Sequence, residues 1–314
     1  MKKIFSFIFV VLITFFMLGC EKSKGETVIK YVGLKVYDPV YVALEKGFFE
    51  AEGVEVELVD TVAGGMSAVE MVSSGSANGG LLSLMAIINA KNAGLPVIGV
   101  LDIQSAFEGY PLEEFYVRKD SGIKSIKDLK GKNIAINLFK SSFHYTWEIE
   151  LAKNGMSAND VNFVQIAFAQ QEEALKNGIV DAIGLMQPYS KSVRENDEFV
   201  KLYDAVDCFG ERQFCTIFLN EEWADKNPEQ ATKFVTALAK TCKWIEKNQE
   251  EAREIIAKYT GVDKNKIDDY KYQQNAMCNM EDVQYWIDFM VNFEGVSSDL
   301  KPEQIATNKY NKLC

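Results

Sequence analysis

The sequence predicts an α/β fold, because short apolar strands alternate with amphipathic helices along most of its 314 residues. Residues 28–80 have the order strand, helix, strand, helix, strand, and Asp38-Pro39 is a typical start for the first helix. Residues 133–185 repeat this order. A hydrophobic content of 47% is enough for one large core or two medium ones. Small ligands bind at the carboxyl ends of strands in such sheets, so the loops there are candidate sites.

Glycines and apolar periodicity divide the chain into elements. In the first half we predict strand 28–32, a helix from Asp38 to Gly47, strand 54–59, a helix opened by Gly64-Gly65, strand 79–82, helix 84–93, strand 97–101 and an irregular segment at 104–114. In the second half we predict strand 115–118, helix 126–129, strand 133–137, a helix from Ser141-Ser142 to Gly155, strand 160–166, helix 172–177, strand 179–185, strand 214–219 and three amphipathic helices after residue 227.

The N-terminal segment predicts export. Lys2 and Lys3 precede an apolar run at 4–18, and Gly19-Cys20 follows it, which is the pattern of a secretory signal. The cysteine resembles the lipobox of bacterial lipoproteins, although Leu18 stands where alanine or serine is commoner. We expect residues 1–19 to be removed, Cys20 to carry the lipid, and the polar residues 20–26 to form a tether. The alternative is a buried hydrophobic helix with an incidental cysteine.

Charge and cysteine content argue against a nucleic-acid-binding protein, a zinc protein and a disulfide-rich protein. The formal net charge is −11, and without residues 1–19 the chain has 32 basic and 45 acidic residues, a net charge of −13. Such a surface repels nucleic acid. The five cysteines after Cys20 are odd in number and include no C-x-x-C pair, so they indicate neither a zinc site nor a disulfide framework. Cys208 and Cys215 either form one bridge or remain free, buried thiols.

Several short motifs, in this order and spacing, carry a family resemblance. They are Tyr31-Val32-Gly33, residues 43–49, Gly53-Val54, Ala63-Gly64-Gly65, Ser74-Gly75, residues 128–132, Ser141-Ser142 with His144, residues 178–182 and Pro188-Tyr189. Together they resemble the solute-binding proteins of ABC importers for sulfonates, taurine, nitrate and thiamine-pyrimidine precursors, the NMT1/THI5-like family. The resemblance covers most of the chain.

This resemblance implies a two-lobed, periplasmic-binding-protein-like clamshell of type II. We expect lobe 1 to comprise residues 27–114 and 215–314 and lobe 2 to comprise residues 115–214, with two hinge crossings. The implied protein is a monomer without a cofactor, held by its lipid at the extracytoplasmic face of the cell membrane. It captures a small organic ligand and delivers it to an ABC permease.

Catalysis is the alternative function. One enzyme family shares this fold, the pyrimidine synthases of thiamine biosynthesis, but their cysteine-rich loop is absent from this sequence. His144 is the single histidine, so a Ser-His-Asp triad depends on that residue, and no G-x-S-x-G nucleophile motif occurs. Gly64-Gly65 lacks the third glycine of a dinucleotide fingerprint, and there is no P-loop. We therefore expect binding and not chemistry.

Two helix starts, Gly64-Gly65 and Ser141-Ser142, are expected to face one cleft, where their free N–H groups favour an anionic group. In the sulfonate-type relatives a glycine precedes the serine pair, and here Phe139-Lys140 takes that place. Gln187 stands where an acidic residue is common in these relatives, and its neutral amide can both donate and accept a hydrogen bond. Aromatic loop residues favour a flat ligand, although half of them are core in the alternative interpretation. The predicted ligand-binding residues are Lys35, Tyr37, Asp38, Gly64, Gly65, Met66, Leu82, Ser83, Asn137, Phe139, Ser141, Ser142, Phe143, Gln187 and Tyr189.

The lipid prediction is tested by Cys20→Ser, because the lipid is expected to be attached through the thiol sulfur, which serine lacks. We expect the variant to remain uncleaved or to become soluble, and to lose metabolic labelling by a fatty-acid analogue. Wild-type protein is the positive control. Label retained in the variant contradicts the lipoprotein prediction.

Overall fold

The computed structural model describes residues 28–62, 65–110 and 112–313. The predicted signal peptide, the tether with Cys20, and Gly64 lie outside the described residues. Within these ranges, no helix is both long and apolar enough to cross a membrane.

The first of two five-stranded sheets has the strand order β2–β1–β3–β10–β4. Its strands are β1 (Ile29–Leu34), β2 (Val56–Val62), β3 (Gly79–Ser83), β4 (Val97–Ala106) and β10 (Arg212–Asn220). β1 pairs in parallel with β2 and β3, whereas β10 runs antiparallel to β3 and β4. Parallel strands are connected through helices, which cover the faces of the sheet and bury it on both sides.

The second sheet has the order β7–β6–β8–β5–β9. Its strands are β5 (Glu114–Arg118), β6 (Asn133–Ile136), β7 (Asn162–Gln165), β8 (Ala182–Leu185) and β9 (Phe199–Asp204). β6 is parallel to β7 and β8, and β5 is antiparallel to β8 and β9. Each sheet therefore combines parallel strands with one antiparallel strand, which is β10 in the first sheet and β5 in the second.

The helices fall into two groups, one for each sheet. The first lobe contains α1 (Pro39–Glu45), α2 (Phe48–Ala51), α3 (Gly65–Ser73), α4 (Leu84–Asn92), α9 (Glu221–Lys226), α10 (Pro228–Lys247), α11 (Gln249–Thr260), α12 (Met280–Glu294) and α13 (Pro302–Ile305). The second lobe contains α5 (Ser142–Lys153), α6 (Phe168–Lys176), α7 (Ser190–Arg194) and α8 (Ala205–Phe209). The predicted two-lobed α/β fold is confirmed.

The lobes are joined where β4 leads to β5 and where β9 and α8 lead back to β10. β5 begins at Glu114 and β10 at Arg212, close to the predicted crossings at 115–118 and 214–219. The exact limits of each lobe stay a prediction. Cys208 and Cys215, near the return crossing, are free and buried thiols.

The predicted start of α1 is confirmed, with Asp38 as its N-cap. One carboxylate oxygen of Asp38 accepts a hydrogen bond from the Val40 N–H at 3.0 Å, and the other accepts from the Tyr31 hydroxyl at 2.8 Å. The side chain is fully buried, and burial raises the pKa of Asp38 to about 6. Asp38 thus ties the helix start to β1.

Some element predictions were wrong. Residues 104–106, predicted as irregular, extend β4, because they pair with the first residues of β10. α6 begins at Phe168, four residues before the predicted start. The segment from α7 to α8 was not predicted, because none of its three elements exceeds six residues and so none carries a long periodic signal.

The close approach of β3 to β10 is tested by Gly79→Ala. A Cβ at Gly79 would lie 2.8 Å from the backbone oxygen of Phe218, so the strands would have to shift apart. We expect the variant to lower the free energy of unfolding by about 1–3 kcal/mol in urea titrations. Ser76→Ala, at an exposed position before the same strand, is the control and should change it by less than about 0.5 kcal/mol. Equal stability of the two variants would contradict the close approach.

Candidate functional site

A cavity of about 350 Å³ lies between the two lobes. The first lobe contributes the segments that follow β1 and β3 and the start of α3, and the second lobe contributes the starts of α5 and α6 and the segment after β8. These are mostly the carboxyl ends of parallel strands, where the α/β fold places its ligand sites. The volume suits a small organic molecule.

The structure brings ten of the predicted ligand-binding residues together around this cavity. They are Lys35, Gly65, Met66, Leu82, Ser83, Asn137, Ser141, Ser142, Phe143 and Tyr189. They lie on both lobes, so a molecule in the cavity would contact both.

Four other predicted residues lie outside the cavity lining. Tyr37 is fully buried and stacks on Tyr270 with a centroid distance of 4.3 Å. Asp38 caps α1, as described above. Phe139 is 49% exposed, and Gln187 faces the second cleft described below. Spacing along a loop cannot distinguish a side chain that turns into the core from one that turns into the cleft.

The start of α5 forms the polar wall on the second lobe. Ser141 is the N-cap: its hydroxyl accepts from the His144 N–H at 3.4 Å and donates to Asn137 Oδ1 at 2.7 Å. Ser142 hydrogen-bonds to the Glu113 carboxyl, to which Thr146 Oγ1 also donates at 2.7 Å. Both serine hydroxyls thus have partners inside the protein. The Ser141 hydroxyl already accepts from the His144 N–H, so the Ser142 and Phe143 N–H groups, which have no partner within the helix, are the first-turn donors available to a ligand.

Lys140 precedes this helix in the left-handed backbone region, with φ of 62°. This conformation favours glycine, the residue that the resemblance leads us to expect before the serine pair. The Lys140 ammonium contacts the Glu294 carboxylate of α12 at 3.1 Å. The position that departs from the family pattern therefore supplies a contact between the lobes.

The lobes also meet through two other residues of the cavity lining. The Tyr189 hydroxyl of the second lobe donates to the Lys35 carbonyl oxygen of the first lobe at 3.0 Å. Together with the contact between Lys140 and Glu294, this hydrogen bond holds the lobes in contact across the cavity.

The cavity wall is predominantly apolar. In the described part of the chain, Lys35 and Lys140 are the charged residues of the lining, and both side chains are largely exposed at its edge. Glu113 lies behind Ser142, where burial raises the pKa of its carboxyl to about 7. The arrangement combines an apolar chamber with N–H donors at one wall.

Sequence reasoning missed several lining residues. Residues 167–169, at the start of α6, follow β7 as the other site loops follow their strands, so the same pattern could have identified them. Gln104 and Cys215 reach the cavity from β4 and β10, where the two are register partners beside a register shift. No local signal predicts this, because it depends on a pairing between residues about a hundred positions apart.

A larger cleft of about 650 Å³ lies around Gln187, Arg194 and Asp268. The Arg194 guanidinium pairs with Glu114 at 2.7 Å and with Asp268, and Gln187 Oε1 accepts from the Asp268 N–H at 3.1 Å. The charged groups at its centre are paired with one another, and Lys191 also pairs with Asp268. The smaller cavity is therefore the better candidate site.

Comparisons with known proteins agree with this architecture. The family model described as NMT1/THI5 like matches residues 36–252. The chain is similar to the 4-amino-5-hydroxymethyl-2-methylpyrimidine phosphate synthase THI11 of Saccharomyces cerevisiae, with 26% identity over 66% of this chain and 62% of the yeast protein. The chain therefore spans less than two thirds of that relative's length.

Two bacterial relatives are aligned over more of the chain. The riboflavin-binding protein RibY of Chloroflexus aurantiacus is 26% identical over 82% of this chain and 71% of its own length. A putative aliphatic sulfonates-binding protein of Bacillus subtilis is 24% identical over 90% of this chain and 83% of its own. Among solved structures, the periplasmic aliphatic sulphonate binding protein SsuA of Escherichia coli superposes with a TM-score of 0.71 at 20% identity, covering 88% of this chain and 91% of that one.

The raised pKa of Glu113 makes a testable contribution to stability. The unfolded carboxyl releases its proton near its ordinary pKa, whereas the folded one keeps it until about pH 7, so stability falls as the pH rises between these values. Glu113→Gln should reduce this fall by up to about 3 kcal/mol. Urea unfolding at about pH 4 and about pH 8 measures it.

Glu108→Gln makes the same substitution at an exposed position and is the control for this experiment. The stability of the Glu113→Gln variant should still fall as the pH rises, because burial also raises the pKa of Asp102 to about 8. Identical pH dependence of Glu113→Gln and wild type would show that Glu113 ionises normally in the folded protein.

Proposed function

We propose that this protein, which belongs to the NMT1/THI5-like family, is the solute-binding component of an ABC importer. In this proposal Cys20 anchors it by a lipid at the extracytoplasmic face of the membrane. It binds a small organic molecule between its lobes and delivers it to a permease.

The observation that carries the proposal is the cavity between the lobes, lined by ten of the residues expected to bind ligand. Closure of two domains around a ligand is the mechanism of periplasmic binding proteins. The contact between Tyr189 and Lys35 supports a closed arrangement, in which bound solute would be shielded from water.

The proposed ligand has a flat or apolar body and an anionic or polar end. The body would contact apolar and aromatic side chains, such as Met66, Phe143 and Phe168. The polar end would accept hydrogen bonds from the first turn of α5, where the helix dipole favours negative charge. A sulfonate, a carboxylate and a heteroaromatic ring all fit this description.

Catalysis is the second candidate, because the yeast relative is named as a synthase. His144 contacts Phe139 and Phe163 and does not line the cavity. Cys215 does line it, but burial raises the pKa of its thiol well above the ordinary value, so the thiolate that acts as nucleophile is disfavoured. These observations favour binding.

Mass spectrometry separates the two functions. Purified protein is incubated with a panel of sulfonates, carboxylates and heteroaromatic compounds, and the compounds that raise the melting temperature are then analysed before and after incubation. The binding proposal expects stoichiometric capture and return of an unaltered compound. Conversion of the compound would favour the enzyme, and no stabilisation by any compound would count against ligand capture.

The α5 N–H donors are tested by comparing Ser142→Pro with Ser142→Ala. Both remove the hydroxyl, but only proline removes the backbone N–H, and it is tolerated at the first position of a helix. Ser141 already has the extended backbone that a following proline requires, with ψ of 168°. Losing a hydrogen bond to a charged group costs roughly 1.5–3 kcal/mol, so Ser142→Pro should bind about tenfold to a hundredfold more weakly than Ser142→Ala.

Calorimetric titration with a compound identified in the panel measures this difference, and thermal melting checks that both variants fold. Equal affinities of the two variants would exclude the Ser142 N–H as a ligand contact.

A further inference from the structure

Among the described residues that line the cavity, Gln104 alone has a buried side-chain polar atom without a hydrogen-bond partner. The residue is fully buried in β4 and lines the cavity between the lobes. Its Nε2 donates to the Tyr37 carbonyl oxygen at 3.4 Å, which orients the amide. Its Oε1 is buried and has no hydrogen-bond partner among the described residues. A buried acceptor without a partner is destabilising, and a ligand that donates a hydrogen bond to it would remove that cost.

The position of Gln104 is set by the two strands that connect the lobes. Its register partner is Cys215 in β10, which also lines the cavity, and the register shifts on both sides of Cys215. The donors at the start of α5 belong to the other lobe. The cavity thus has N–H donors on the second lobe and, on the first, a lining residue whose side-chain carbonyl has no partner among the described residues.

We infer that Gln104 selects the ligand, by accepting a hydrogen bond from an N–H or O–H group at the end of the molecule that enters the first lobe. This inference rests on the proposed function. It narrows the ligand class to compounds with a donor at one end and an acceptor or anionic group at the other. A ligand that places only an alkyl group in the first lobe would leave the Gln104 carbonyl unpaired. It would therefore bind at least about tenfold more weakly than a ligand with a donor at that end.

Matched compounds test this selection. Uracil, 2-pyridone and benzamide carry an N–H group, and 1,3-dimethyluracil, N-methyl-2-pyridone and N,N-dimethylbenzamide are their counterparts without one. Butanesulfonate represents anions with an alkyl body and no donor. Thermal shift and calorimetric titration rank these probes with wild-type protein and with Gln104→Met, which keeps the side-chain length and removes both polar atoms of the amide.

Gln213→Met is the matched control. Gln213 is also fully buried, on the neighbouring strand, but it lies outside the cavity lining. Its Oε1 accepts from the Asn279 N–H at 2.8 Å and its Nε2 donates to the Cys215 carbonyl oxygen at 3.4 Å. We expect Gln213→Met to lower the melting temperature of the free protein and to leave the ranking of the probes unchanged.

Three results together support the inference. Wild-type protein prefers the N–H compounds over their methylated counterparts by about tenfold or more. Gln104→Met loses this preference. Free Gln104→Met melts no lower than wild type, because it removes an unpaired carbonyl together with one long hydrogen bond.

Three results overturn it. If Gln104→Met keeps the preference, the amide serves the protein interior and not the ligand. If butanesulfonate or the methylated compounds bind wild type as well as the N–H compounds do, the inference fails while the proposed capture of a solute stands. If no probe binds and no compound of the broader panel does, both fail together.

Discussion

The antiparallel pairing of β10 with both β3 and β4 is the interaction on which the two-lobed architecture depends. It returns the chain to the first sheet after the segment that makes up the second lobe. Because β10 lies between strands that precede that lobe, the chain must cross between the lobes twice. The same pairing places Gln104 and Cys215 at the cavity wall. β10, which joins β3 to β4 in the first sheet, therefore also determines part of the site.

Much of the fold was predictable, because its signals are local. Asp38 before Pro39 is recognisable as a helix start, and the structure confirms its hydrogen bonds. Loops after parallel strands are recognisable as site loops, so Ser141, Ser142 and Tyr189 could be named from their position alone. The extent of β4 was not predictable, since it depends on residues of β10 that are distant in sequence.

The positions of individual side chains were less predictable than those of the loops that carry them. Tyr37 and Lys35 lie two residues apart, yet Tyr37 stacks in the core and Lys35 lines the cavity. Lys140 has a left-handed backbone conformation and contacts Glu294 across the cleft. Such details depend on which neighbour is in reach after folding.

The distribution of polar groups suggests what closes the cleft. The contacts between the lobes include the hydrogen bond of Tyr189 to Lys35, the exposed ion pair of Lys140 with Glu294, and the pairs that Gln187 and Arg194 make with Asp268. An exposed ion pair of this kind contributes little. The donors of α5 and the carbonyl of Gln104 lie on opposite lobes. A molecule that satisfies both binds the closed form better than the open form, and this difference in affinity shifts the equilibrium towards closure. Selectivity and closure are then two consequences of the same pair of polar contacts.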